Sequence, residues 1–416
     1  MKIFIKNIKG LVQVREDGLD APLRGEEMNE LPIIENAFLA IEDGRIADYG
    51  KMSDWPGITD WRGLEVIDVE GKYVFPTWCD SHTHIVFAAY RESEFVDRIK
   101  GLTYQEIANK GGGILNSAKR LQQASEDELY DAALERVKLV ASLGTGAVEI
   151  KSGYGLTLES ELKMLRVIKR LRETTPLTIK STFLGAHAIP MEFREKREDY
   201  IKLVIEEMIP AVAEEKLADY IDAFCETNYF SPDETAAIIE KGKEYGMKPK
   251  IHVNQFTSIG GIKMATELGA LTVDHLEEMK EEDFTLLANS STIPVALPSC
   301  SFFLGIPYAP VKEMIAQNLP VTLATDYNPG STPSGNMNFV NSLACVKQKL
   351  TPAQAFNAST VNAAFAMEVE DELGWIARGK RANLFITKAI PSIEYMPYSF
   401  GENCIESVIL NGELQK

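Results

Sequence analysis

Between residues 73 and 373, short β-rich apolar runs alternate with longer segments of helical period. The runs lie at 73–80, 146–151, 177–184, 220–225, 248–252, 271–275, 292–297 and 321–325. The segments between them include "EDELYDAALERVKLVASLG" and "LESELKMLRVIKRLRET". In the second, Leu162, Leu165, Ile168 and Leu171 recur about one helical turn apart and form an apolar stripe. Eight strands alternating with helices predict an α/β chain folded as a (β/α)8 TIM-like barrel. An open, doubly wound sheet is the rival, but no G-x-G-x-x-G follows the first run to support it.

The two ends read differently. "NAFLAIEDGRIADYG" sets a Glu42-Asp43-Gly44 turn between two β-rich runs, and "LEVIDVEGKYVFP" repeats the form at Glu70-Gly71. "LGWIARGKRANLFITK" and "IESVILNGELQK" close the chain in the same way. Termini often lie close together, so residues 1–72 and 374–416 are expected to form one small β-sandwich domain beside a barrel domain of 73–373.

All five histidines stand at the ends of predicted strands. His82 and His84 close the first run in "DSHTH"; His187 follows the third, His252 ends the fifth and His275 ends the sixth. Asp326 follows the eighth, in "PVTLATDYNPGS". Residues i and i+2 of a strand face one side, so His82 and His84 point together into the barrel mouth, where barrel enzymes keep their chemistry. A lone strand-end histidine is ordinarily a hydrogen-bonded structural residue, and Asp326 by itself could cap a helix, although its lead Val321-Thr322-Leu323-Ala324 favours a strand end. An H-x-H pair with a later histidine and a strand-eight aspartate instead predicts a zinc or iron site.

These residues resemble the metal-dependent amidohydrolase superfamily, and the resemblance spans the chain, including the closing "GWIARGKRANLFI". Within it, "RESEFVDRIKGLTYQEIANKGGGILNS", "EIKSGYGL", "FLGAHAIP" and "TDYNPGS" are similar to segments of the imidazolonepropionase family. The resemblance implies hydrolytic ring opening of 4-imidazolone-5-propanoate to N-formimidoyl-L-glutamate, a step of histidine degradation. It implies one zinc or iron ion held by His82, His84, His252 and Asp326. It implies substrate contacts from Arg91, Tyr104, Tyr154, His187, Gln255, Asn328, Gly330 and Ser331. Catalysis then falls to Asp326 as proton carrier and His275 beside the metal-bound water, with Gln255 at a third catalytic position. Many family members are acidic at that position; glutamine cannot accept a proton, so here it offers hydrogen bonds only.

The chemistry suits these parts. Metal lowers the pKa of a water to roughly 7 and polarises the ring amide carbonyl. Arg91 matches a propionate in two-pronged fashion, unless it is spent on an ion pair with Glu92 or Glu94. The run Gly111-Gly112-Gly113 lacks the Lys-Ser/Thr ending of a phosphate loop and reads as a turn near the site. An aminohydrolase of nucleobase-like rings would share the metal but would not need Arg91. A metal-binding barrel without catalysis would not need His275.

A net charge of −18 disfavours nucleic acid and anionic membranes as partners, leaving a small carboxylate-bearing substrate. Five cysteines without a C-x-x-C pair, no apolar run of membrane-spanning length and a lysine-rich start without a cleavage site predict a cytoplasmic protein. A homodimer is expected.

Overall fold

The computed structural model describes residues 2–57, 62–102, 106–107 and 112–415. Five strands open the chain: β1 (Lys2–Val12), β2 (Ile33–Glu42), β3 (Arg45–Lys51), β4 (Leu64–Asp68) and β5 (Tyr73–Pro76). Eight follow in alternation with helices: β6 (Trp78–Thr83), β7 (Thr145–Lys151), β8 (Thr178–Ala186), β9 (Tyr220–Cys225), β10 (Lys248–Val253), β11 (Thr272–His275), β12 (Ile293–Ala296) and β13 (Thr322–Leu323). Three end it: β14 (Leu384–Thr387), β15 (Ile405–Leu410) and β16 (Glu413–Leu414).

Strands β6 to β13 pair in chain order, every pair parallel. The ends of this sheet meet: Asp326 N–H donates to His82 O at 3.0 Å, and His84 N–H donates to Tyr327 O at 2.8 Å. The sheet is thus a closed barrel, and the helices between its strands bury their apolar stripes against it. Helix Leu158–Thr174 buries Leu162, Leu165, Ile168 and Leu171. Helix Glu126–Ser142 starts on a capping box, in which Ser125 Oγ accepts from Glu128 N–H and the Glu128 carboxylate accepts from Ser125 N–H.

The strands of both termini form the second sheet, in the order β16-β15-β14-β5-β1-β2-β3, with β4 also on β1. It keeps a core of its own, in which Ile3, Ile5, Leu39 and Val74 from one end meet Leu384, Ile386 and Ile409 from the other. One boundary differs from the sequence reading. The run 73–80 is two strands: β5 pairs with β1 and β14 in the terminal sheet, and only from Trp78 does the chain enter the barrel. Pro76 has no N–H to continue a ladder. At Thr77 the chain crosses over, packed so closely on Gly146 that a Cβ there would lie 2.1 Å from Thr77 Oγ1. The run stays largely apolar from Tyr73 to Cys79, across the end of β5 and the start of β6, so composition does not mark the break.

Candidate active site

The barrel strands carry their polar residues to one end, around a cavity lined by His84, Arg91, His187, His252, His275 and Asp326, among others. The donor atoms of His82, His84 and His252 all lie within 4.8 Å of one another. Asp326 Oδ1 stands 3.6 Å from His82 Nε2 and 3.7 Å from His84 Nε2, too far for hydrogen bonds but facing the same point. His82 Nε2 is buried with no hydrogen-bond partner among the described residues. Burial first, and then neighbouring positive groups, hold all three imidazoles well below their usual pKa, so they are neutral and able to ligate. This donor set fits a divalent zinc or iron ion. Burial raises the Asp326 carboxyl to about 6 against the pull of His275. A cation among these groups would draw it back down.

Two of the rings are fixed from behind. His82 Nδ1 lies 2.6 Å from Asp274 Oδ2, and His252 Nδ1 lies 2.8 Å from Asp222 Oδ2. Each carboxylate turns the opposite ring nitrogen into the cavity, as outer partners of metal-bound histidines do. Lys151 Nζ reaches the same two oxygens, at 2.9 Å for Asp222 and 3.6 Å for Asp274, and also Glu149 Oε1 at 2.6 Å. Burial pulls Lys151 down, and these carboxylates outweigh it, so it stays an ammonium. Lys250 pairs with the other oxygen of Glu149. Sequence reasoning missed this layer. Its signal was present as charged residues inside apolar strands: Glu149 and Lys151 at i and i+2 in "EIKSG", and single aspartates in "YIDAFC" and "LTVDH".

Asp80, which opens "DSHTH", serves the barrel seam. It accepts from Thr325 N–H at 3.0 Å and Thr325 Oγ1 at 2.6 Å, tying the first strand to the eighth. His275 and Leu276 take positive φ values of 92° and 70°. That bend leaves His275 Nδ1 3.5 Å from Glu277 Oε2. Burial lowers the His275 pKa, but Glu277, Asp326 and Asp274 outweigh it and the net shift is upward.

The other expected residues divide between cavity and turn. Arg91 is buried, 3.7 Å from Glu94 Oε2, and its guanidinium lies over Gly330, where a Cβ would come within 2.2 Å of Arg91 Cζ. The Glu94 carboxylate is shared, since its Oε1 accepts from Gly113 N–H at 3.0 Å and Asn116 Nδ2 at 3.1 Å. Tyr154 stacks beneath Arg91, 5.9 Å from ring centre to Cζ. His187 Nδ1 is 2.9 Å from Gly153 O, and its ring lies nearly parallel to that of His84. Gln255 lines the cavity and donates to Cys300 Sγ at 3.4 Å. Asn328 lines it too, but its side chain is largely spent on the turn: Oδ1 accepts from the Gly330 and Ser331 N–H groups, both at 2.8 Å, and Nδ2 donates to Asp326 O at 2.7 Å. Ser331 Oγ donates to Asp326 Oδ2 at 3.2 Å. Tyr104 and Gly111 lie outside the described residues.

A model of the amidohydrolase family matches residues 73–414. The chain is 58% identical over 414 residues to an imidazolonepropionase of Christiangramia forsetii, covering 100% of both chains. It is 56% identical to that of Flavobacterium johnsoniae, again over 100% of both, and 41% identical to that of Alkaliphilus oremlandii, over 99% of this chain and 97% of the relative. The chain belongs to the imidazolonepropionase family of amidohydrolases. It is accordingly a hydrolase. Among solved structures, an E. coli guanine deaminase superposes with a TM-score of 0.75 at 14% identity, covering 100% of this chain and 99% of that one. An adenosine deaminase of Xanthomonas campestris with bound zinc gives 0.72 at 14%, covering 99% and 92%. At such identities these neighbours establish the barrel fold that the imidazolonepropionase family shares with them.

Proposed function

We propose that this chain hydrolyses 4-imidazolone-5-propanoate to N-formimidoyl-L-glutamate. The observation that carries the reading is the buried Arg91 guanidinium in the same cavity as the histidine–aspartate cluster. A guanidinium beside such a cluster, 3.7 Å from Glu94 Oε2, can also draw in the anion of a substrate. The propionate arm supplies that anion, with Arg91 as a two-pronged donor and Tyr154 beside it; Tyr104 completes this set in the proposal.

His82, His84, His252 and Asp326 would hold one zinc or iron ion, which when bound supplies a water of lowered pKa and polarises the ring carbonyl. Asp326 takes the water's proton and returns it to the ring nitrogen as the carbonyl carbon–nitrogen bond breaks. Ser331 Oγ, donating to Asp326 Oδ2, leaves Oδ1 toward the histidines. His275, kept cationic by Glu277, donates to the developing oxyanion. Gln255 and His187 offer hydrogen bonds to the ring, and the Asn328–Ser331 turn sets the wall on which Arg91 rests.

Catalysis belongs to the barrel that the chain enters at Trp78, and the strands of both termini, β5 included, form a supporting β domain with its separate core. The proposal takes the protein as a cytoplasmic homodimer, consistent with five unpaired cysteines and no helix long and apolar enough to cross a membrane among the described residues. Incubation of the purified protein with 4-imidazolone-5-propanoate should abolish the substrate's ultraviolet absorbance and yield N-formimidoyl-L-glutamate. Unchanged absorbance with metal bound would overturn the reading.

A further inference from the structure

Beside the first set of donors stands a second. His275, Glu277 and Cys300 also bring one ligand atom each to within 4.8 Å of one another, and all three are buried. The set shares no residue with His82, His84 or His252. It is assembled from the bend after β11 and from the first turn of the helix Pro298–Leu304 that follows β12.

Ordinary hydrogen bonding leaves this set incomplete. Ser301 Oγ donates to Glu277 Oε1 at 3.0 Å, which fixes the carboxylate and leaves Oε2 over. Glu277 Oε2 and His275 Nδ1 face each other at 3.5 Å, yet neither has a hydrogen-bond partner among the described residues. Cys300 Sγ accepts an N–H from Gln255 at 3.4 Å and stands in hydrogen-bond contact with Ser331 and Asp326, so the second set adjoins the first. An imidazole, a carboxylate and a thiol in one buried cluster are ligands of borderline-soft cations such as zinc and cadmium, and a poor set for magnesium or calcium.

We infer that His275, Glu277 and Cys300 form a second, inhibitory site for a thiophilic divalent cation. Binding converts the Cys300 thiol to a thiolate and His275 to the neutral imidazole, forms the sulfur–metal and nitrogen–metal bonds and releases both protons to solvent; no oxidation is involved. A cation there withdraws His275 from the substrate oxygen. That inhibitory consequence rests on the role proposed for His275, whereas the site itself does not.

Cadmium ion added to the purified, metal-loaded protein separates the two sites. The first offers only nitrogen and oxygen, so it gives no thiolate-to-metal charge-transfer band. The second is expected to give that band in the ultraviolet, saturating at one added equivalent by equilibrium dialysis while hydrolysis falls in parallel. Cys300→Ser keeps the volume and should lose both the band and the added equivalent. Glu277→Gln should weaken the added equivalent by more than the roughly 10–100-fold that loss of an outer partner costs. Cys345→Ala, at the least buried cysteine, should leave the band unchanged. No band at two equivalents, or a band that survives in Cys300→Ser, overturns the site. A band without inhibition overturns the inhibitory role and with it the part given to His275, while Arg91 and the ring-opening reading stand.

Discussion

His82 and His252, on the floor of the cavity, are each fixed from behind by a buried carboxylate, and one ammonium braces both carboxylates. Arg91, on the wall, lies against the backbone of Gly330 and a carboxylate 3.7 Å away that is shared with Gly113 and Asn116. The floor is braced by layered ion pairs behind the rings, and the wall by packing on Gly330 and Tyr154 beside a shared carboxylate. The floor therefore suits a fixed metal, and the wall suits what distinguishes one substrate from another. Changes to the floor should abolish the metal and all activity. Changes to the wall should alter which substrate is used and leave the metal alone.

The largest effects are expected on the floor. His82→Ala and His252→Ala should purify with little metal by elemental analysis; full occupancy in both would erase the distinction. In the proposed mechanism Asp326→Asn removes a ligand charge and the proton carrier together, and kcat should fall on the order of 10⁴-fold. Wild-type activity with metal retained would move the proton to another residue. Lys151→Met touches neither substrate nor metal. It leaves Asp222 and Asp274 without their common cation, which should cost about 3–5 kcal/mol by urea unfolding. It should also weaken the metal roughly 10–100-fold by chelator competition. If metal affinity is unchanged while stability falls, the brace is structural only.

The wall should give the smallest change. Gln255→Glu supplies a carboxylate at this position; with Asp326 as the proposed proton carrier, activity should change by less than the roughly 100-fold that marks a general base. A gain well beyond that would shift the base role to this position and blur the line between wall and floor.

The same division governs how much was legible in the sequence. Barrel strands are buried on both faces, so they stand out as apolar runs, and His82, His84, His252 and Asp326 show because they end those runs. The Asp222, Asp274, Glu149 and Lys151 layer was passed over because one charge within an apolar run resembles noise until its partner, 71 residues away for Lys151 and Asp222, is known. The β5–β6 break was hidden for a related reason, since the apolar run passes from Tyr73 to Cys79 across both strands. The wall is the reverse. Arg91, Gly330 and Ser331 have no periodicity to betray them and were read only by resemblance. Even that did not reveal that Asn328 spends most of its side chain holding the turn.

The central claim is that a metal floor and a carboxylate-binding wall share one cavity, and Arg91→Met tests it most directly. The variant keeps much of the side-chain volume and loses the charge and its donors. kcat/KM should be measured on 4-imidazolone-5-propanoate and on its neutral propionamide, with metal content followed in both proteins. Truncating one partner of a desolvated ion pair costs about 2–5 kcal/mol, so the acid should lose roughly 30-fold to several thousand-fold, the amide far less, and the metal should stay. Equal losses for acid and amide, or loss of metal with the arginine, would contradict the account.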